Sequence, residues 1–379
     1  MRIETVDGVK KIYLSVHECL HDDEAERLLG EFIDESSYDV LIQEDADIYK
    51  PADVLGNHDL LISFRKKVFP RSLTRAAAEG LRGSIGRSEN RGLAAGPRDQ
   101  TTGLGARDWV LDANGKPTGQ IYKRGDGSIS DTRYAVPVES GIAGYFDRYV
   151  RIPYCRKTSF TRDNPKDWEK SIPFLQAVSE QFRLLHPTKW ANQKKIADQT
   201  TQDFVIPGTV FTTVTVNRTF RTACHRDAGD YMDGFGNITA FENGKYNKAY
   251  LCMPKFRVAV DLREGDIMLF DVHEIHGNMP IELVDKGAER ISVVCYYRDK
   301  MQECKSKAYE DARFRFVELY RKDAKLAAEK DTLNGIWPGQ WHSPEWHNYL
   351  VKNGLEEDAK DDFPELYEQK MTISEDFFV

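Results

Sequence analysis

The sequence predicts an α+β protein built on a double-stranded β-helix, the jelly-roll or cupin-like core, with flanking helices and long loops. Three observations predict it. From Phe204 to Tyr297, short β-branched or aromatic runs (VFTTVTV, KAYLCM, RVAVDL, DIMLFD, ISVVCYY) are separated by Gly, Asn and Asp, the spacing of an all-β jelly roll. On either side of that region the apolar residues recur at helical rather than alternating intervals. Between Gly83 and Gly127 stand ten glycines and turn dipeptides such as Gly96-Pro97 and Asn114-Gly115, which read as long loops.

Taken in order, residues 1–61 form an acidic N-terminal segment of helix and strand packed on the core. Within it, residues 15–36 place Leu20, Ala25, Leu28, Leu29 and Phe32 at helical spacing with acidic side chains opposite, predicting an amphipathic helix. His17 and His21 flank Cys19 there, but at a polar helix start they read as a solvated face rather than a metal clip. A central domain covers 62–300, with its jelly-roll core over 204–300. Residues 166–198 predict two helices broken at His186-Pro187, because proline disfavours helical geometry in the residue before it. A C-terminal helical extension covers 301–379 and carries Trp337, Trp341 and Trp346, with His342 and His347 as surface or packing residues.

The 379 residues are 40% apolar, enough for a sizeable core, and no apolar run approaches the ~20 residues that cross a bilayer. The N-terminus lacks an apolar stretch ending in small residues, so no signal peptide is read and the expected compartment is cytoplasmic or nuclear. Six cysteines lie far apart with no CxxC pair, which predicts reduced thiols rather than a disulfide framework or a structural zinc site. Neither a membrane nor an obligate protein partner is indicated.

Net charge is −8, but it is unevenly spread. Residues 1–61 hold 5 basic against 16 acidic side chains and residues 301–379 hold 11 against 17, whereas residues 62–162 hold 19 against 9. Such a basic block suits a phosphate-facing surface, with Arg82, Arg87, Arg91, Arg98 and Arg107 as candidate contacts, or it pairs with the acidic ends inside one fold. A nucleotide cradle is excluded: no GK[ST] follows these glycines, and Gly103-Leu104-Gly105 lacks the strand and helix of a dinucleotide fold.

The residues that carry chemistry lie in the β region. His225 and Asp227, two apart on one strand, point to one face, and His276 arrives 49 residues after Asp227 on a later strand. Two imidazoles and one carboxylate fill one face of an octahedron and leave three positions open, the arrangement of non-haem Fe(II) oxygenases, which can hold a chelating 2-oxo acid and O2 together. His273 is the lesser candidate for the distal ligand. Arg290 opens the strand Arg290 to Tyr296 and matches the far carboxylate of 2-oxoglutarate, with Ser292 on the same face.

Four segments, Tyr154 to Asp163, Thr209 to Asp230, Gly265 to Asn278 and Arg290 to Arg298, resemble the TET and J-binding-protein dioxygenases, most closely the thymine-hydroxylase domain of the J-binding proteins. The likeness extends loosely over residues 50–300. It implies a dioxygenase using Fe(II), 2-oxoglutarate and O2 to hydroxylate the 5-methyl group of a pyrimidine flipped out of DNA, with His225, Asp227 and His276 on iron and Arg290 and Ser292 on the cosubstrate. It also implies base contacts at Asp230, Tyr296 and Arg298. In the TET enzymes the matching positions are asparagine, a base-stacking tyrosine and histidine. An ionised Asp230 with Arg298 suits the N3–H and carbonyls of thymine better than cytosine, so thymine to 5-hydroxymethyluracil is the expected reaction. The alternatives are 5-methylcytosine oxidation, or an oxygenase of a free nucleoside, amino acid or peptide. The helical domain that binds modified DNA in some members is not evident.

Overall fold

The computed structural model describes residues 1–88, 91–96, 107–111, 117–122, 137–149, 152–227, 229–322 and 339–367, with the backbone alone for 107–111 and 117–122. Its strands are β1 (Arg2–Val6), β2 (Val9–Tyr13), β3 (Val40–Ile42), β4 (Ala46–Tyr49), β5 (Leu60–Arg65), β6 (Gly86–Ser88), β7 (Arg107–Leu111), β8 (Pro117–Tyr122), β9 (Val138–Phe146) and β10 (Arg156–Lys157). They continue with β11 (Thr213–Arg218), β12 (Gly236–Asn243), β13 (Tyr246–Lys248), β14 (Leu251–Met253), β15 (Val258–Val260), β16 (Ile267–Phe270), β17 (Gly277–Asn278), β18 (Ile281–Leu283) and β19 (Glu289–Tyr296). The helices are α1 (Asp22–Glu26), α2 (Arg71–Arg82), α3 (Ser159–Asp163), α4 (Pro165–Leu185), α5 (Pro187–Gln199), α6 (Lys307–Lys322), α7 (Pro344–Lys352) and α8 (Glu356–Asp362).

Two sheets make the double-stranded β-helix of the expected α+β fold. The larger runs β1-β2-β4-β5-β16-β12-β19-β11-β9-β10, with β6 paired to β9, and the smaller runs β17-β14-β15-β3. One apolar cluster joins their facing sides, taking Ile238 from β12, Met268 and Phe270 from β16, and Leu251, Met253, Val258 and Val260 from the smaller sheet. β19 shows why the strand must be read residue by residue. Ile291, Val293 and Cys295 point away from the sheet partner and pack with Phe174, Leu175, Val178 and Phe182 of α4, while Ser292, Val294 and Tyr296 line a cavity between the sheets. Phe174 is fully buried with its ring 5.0 Å from Phe69 and 5.1 Å from Phe241, and burial of each such side chain contributes about 1.5–3 kcal/mol. α4 gives way to α5 at His186, with Pro187 in the first position of the second helix, where a missing N–H leaves no bond unmade.

Three expectations are corrected. The amphipathic helix over 15–36 is only α1, with 3₁₀ turns at Val16–Glu18 and Glu35–Ser37. Tertiary pairing prevails there: Gly30, at φ +82°, donates its N–H to Cys224 O at 2.7 Å, and Glu31 O accepts from Cys224 N at 2.9 Å. Part of the glycine-rich stretch forms strands β6, β7 and β8 rather than loop. Of the six cysteines, Cys155 and Cys304 form a disulfide with Cα atoms 5.8 Å apart, a pairing across 149 residues that no local spacing could announce. Cys19, Cys224, Cys252 and Cys295 are free thiols.

α6, α7 and α8 build a satellite core around Tyr309, Phe316, Trp346 and Leu350. It is tied to the main body by the disulfide and by Glu310, which is 1% exposed and accepts from Arg148, Cys155 N and Lys305 N. Trp337 lies outside the described residues. Trp341 and Trp346 pack edge to face, and His347 packs on Phe363 while bonding Tyr367, whereas His342 is exposed. Among the described residues no helix is long and apolar enough to cross a membrane.

Candidate metal centre

The turn after β11 and the stretch after β16 carry the metal-ligating side chains, and an antiparallel bridge between His225 and His276 sets them side by side. Imidazole centroids are 4.4 Å apart, and His225 Nε2 and His276 Nε2 each stand 3.7 Å from a carboxylate oxygen of Asp227. Among the described residues these three form the group of His, Cys, Asp and Glu able to hold a metal ion, their ligand atoms lying within 4.8 Å of one another. His225 Nδ1 bonds Ala223 O at 2.8 Å and His276 Nδ1 bonds Glu274 O at 2.9 Å. A carbonyl accepts from N–H only, so Nδ1 carries a proton in each ring and Nε2 is the nitrogen turned toward Asp227. Burial, with His225 adding, pushes His276 down to about 4, so this ring is neutral and ready to ligate at neutral pH. His273 is not part of the group; its backbone N–H bonds Asp271 and its Nε2 is buried without a described partner.

The cavity between the sheets is about 360 Å³, and His225, Asp227, Asp230, His276, Ser292, Tyr296 and Arg298 all line it. Ile238, Leu251, Phe270 and Val294 give it apolar walls. Arg290 lies two residues before Ser292 on the same face of β19, opposite Glu242 on β12. It is 2% exposed, and its Nε and Nη2 have no partner among the described residues. A buried guanidinium with unused donors is costly unless an anion reaches it, and a dicarboxylate meets that need. Two imidazole nitrogens and one carboxylate oxygen fit Fe(II) equally well. The residues present therefore fit both iron and 2-oxoglutarate.

Asp230 and Arg298 face each other across a backbone bridge. Asp230 is half-buried, with its Oδ2 buried and without a partner among the described residues; burial, with the charge of Asp227 adding, holds the carboxyl well above the usual carboxylate range. The Arg298 guanidinium is engaged by Asp147, with Nε 2.8 Å and Nη2 2.7 Å from Oδ1. Tyr296 is buried, its hydroxyl 3.3 Å from Thr215 Oγ1.

Sequence reasoning missed Arg91 as a cavity residue. It lines the cavity beside Leu93 and Ala94, donates from Nη2 to Gly141 O at 3.1 Å, and has a buried Nε without a described partner. Its only sequence signal was membership of the basic block, which pointed outward to phosphates. Arg82 is likewise engaged, by Glu289, whereas Arg87 is exposed on β6. Arg98 and the Arg107 side chain lie outside the described residues.

A facial set of this kind in a double-stranded β-helix, with a buried arginine that lacks a described partner two residues from the cavity-lining Ser292, is the arrangement of 2-oxoglutarate and iron oxygenases. Residues 141–299 match the Tet_JBP family, described as the oxygenase domain of the 2OGFeDO superfamily. The chain is 36% identical over 207 residues to thymine dioxygenase JBP1 of Trypanosoma brucei brucei, covering 52% of this chain and 22% of that protein. It is 40% identical over 170 residues to thymine dioxygenase JBP1-A of Trypanosoma cruzi, covering 43% of this chain and 20% of that protein. The chain thus spans about a fifth of the length of these curated relatives. A solved structure of NgTET1 in complex with 5mC DNA superposes with a TM-score of 0.44 at 11% identity, covering 78% of this chain and all of that one.

Proposed function

We propose that this protein is an Fe(II)/2-oxoglutarate-dependent dioxygenase that hydroxylates the 5-methyl group of thymine in DNA to give 5-hydroxymethyluracil. The observation that carries the reading is the His225, Asp227 and His276 cluster in a cavity that Ser292 also lines, with Arg290 buried two residues along the same strand face and its Nε and Nη2 without a partner among the described residues. The relatives it resembles are thymine dioxygenases, which supports the choice of base. When bound, iron with 2-oxoglutarate and O2 supplies the oxidising power to hydroxylate a methyl C–H bond while the cosubstrate becomes succinate and CO2.

The chain's own residues supply position and dryness. His225, Asp227 and His276 hold the metal, and Arg290 with Ser292 holds the far carboxylate of the cosubstrate. A thymine methyl lies in the stacked duplex, so the base must leave the stack to reach a cavity between sheets. Tyr296 offers that base an aromatic face, and Asp230 and Arg298 meet its polar edge. Ile238, Leu251, Phe270 and Val294 exclude water around the reacting methyl.

A second reading, 5-methylcytosine as the base, gains support from the raised Asp230 carboxyl. A protonated carboxyl both donates and accepts, so it can serve cytosine N3 and N4 as well as the thymine edge. Mass spectrometry of nucleosides from DNA incubated with the protein, Fe(II), 2-oxoglutarate and ascorbate separates the readings. 5-Hydroxymethyluracil supports the first; 5-hydroxymethylcytosine with thymine untouched replaces it by the second; oxidation of free nucleosides in preference to DNA removes both.

A further inference from the structure

A second cavity, of about 570 Å³, opens where the oxygenase segment meets the C-terminal helices. The Asp147–Arg298 ion pair stands between it and the metal-centre cavity. Arg298 lines the first, while Arg148 and Lys300, one and two positions further along the two chain segments, line the second. The two cavities are therefore adjacent along both chain segments.

The charges in this second cavity are not balanced. Arg148 is neutralised by Glu310, and Lys305 by Asp362. Arg313, 6% exposed, donates from Nε to Pro153 O at 2.7 Å and lies 3.6 Å from the Trp341 ring centre, but among the described residues no carboxylate forms an ion pair with it. A guanidinium that faces a cavity without a carboxylate of its own can take an anion there. Lys300 and His342 line the same space, and neither side chain has a partner among the described residues; the opposing unpaired carboxylate is Glu303. Tyr149, 62% exposed, adds an open aromatic face at the rim. A cation pair beside an exposed ring is the pattern that takes a phosphate together with a base.

We propose that this cavity binds a nucleotide, its phosphate on Arg313 and Lys300 and its base on Tyr149. The inference rests on the DNA reading above for the source of that nucleotide, a neighbour of the oxidised one on the same strand. A free nucleotide carries the same chemistry.

The test uses the full chain and a fluorescent thymine-containing oligonucleotide, with binding followed by anisotropy for the parent, Lys300→Glu and Tyr149→Ala, all changes at exposed positions. Weakening on the order of tenfold in each variant is expected. Thymidine 5′-monophosphate as competitor distinguishes the sources: displacement of the oligonucleotide at comparable concentrations identifies a free-nucleotide site, and its failure identifies a strand site. Affinity unchanged in both variants, or no binding of either probe by the parent, overturns the proposal. Failure of the oxygenase reading is separately visible, as a parent that binds the oligonucleotide but forms neither succinate nor an oxidised base.

Discussion

His225 and His276 donate their backbone N–H groups to each other's carbonyl oxygens, at 2.9 and 3.0 Å. Asp227 N is tied in the same way to Val272 O at 3.1 Å, so two chain segments fix the separation of the three ligands through main chain alone. Side-chain removal should therefore empty the site without unfolding it. His225→Ala, Asp227→Ala and His276→Ala are each expected to remain folded while iron retention and succinate formation fall by at least about a hundredfold. His273→Ala should keep its iron. Metal analysis of the purified variants checks both statements, and a metal-free His273→Ala with a loaded His276→Ala would reassign the distal ligand.

The neutral state of His276 makes the metal-free protein sensitive to acid. An imidazole in the unfolded chain takes up its proton near 6.5, whereas the buried ring does so only near 4. The unfolded state binds more protons between those values, so stability falls as pH drops through that window, by at most about 3 kcal/mol from this residue. Urea unfolding of the metal-free chain from neutral pH downward should show this slope, and His276→Ala should flatten it.

Arg290 offers donors that nothing in the described protein accepts. Arg290→Ala should raise the KM for 2-oxoglutarate steeply, because loss of a charge-assisted contact to a partly buried anion costs on the order of 2–5 kcal/mol. Arg290→Lys should recover part of it, since a single ammonium cannot reproduce the planar fork. Equal cosubstrate dependence in all three proteins would assign the far carboxylate to another cation, of which Arg91 is a cavity-lining example.

Asp230→Asn fixes a donor and an acceptor where the acid can exchange them. The variant is expected to oxidise thymine more slowly and to gain measurable 5-methylcytosine turnover, read by nucleoside mass spectrometry on mixed-base DNA. An unchanged product ratio would mean that Asp230 does not touch the base.

Glu310 holds the C-terminal helices through four donors, two of them backbone N–H groups at 2.8 and 3.0 Å. Glu310→Ala leaves the Arg148 charge and both amides unsatisfied at a buried site and should destabilise the protein by about 3–5 kcal/mol in denaturant unfolding. Glu310→Gln, which keeps the shape, should lose less.

The strands that deliver the ligands were legible because each is short, β-branched and bounded by turn residues, as Ile267 to Phe270 and Arg290 to Tyr296 illustrate. The HxD spacing and the arginine heading its strand were legible for the same reason: both depend on neighbours a few residues away. What escaped depends on partners far along the chain. β9 carries two glycines and is not among the strands the sequence announces, yet it pairs with β11, and Gly144 packs so closely on Thr212 that a side chain there would clash. The Gly30 to Glu31 segment abandons its helical periodicity for bonds to Cys224. The Cys155–Cys304 link, the burial of Asp230 and the inward turn of Arg91 are likewise decided by contacts that no local window contains.

β16 ends at Phe270, six residues before His276, and its outer neighbour is β5, register Ile267 to Arg65 through Phe270 to Ile62. A shortened polypeptide confined to residues 141–299 would strip that neighbour away and leave β16 as a bare rim of amide and carbonyl groups beside the metal-bearing turn. Such a fragment would offer its rim to a second copy of itself, so recombinant boundaries for this protein belong upstream of β4 even though the segment that matches the family begins well after it.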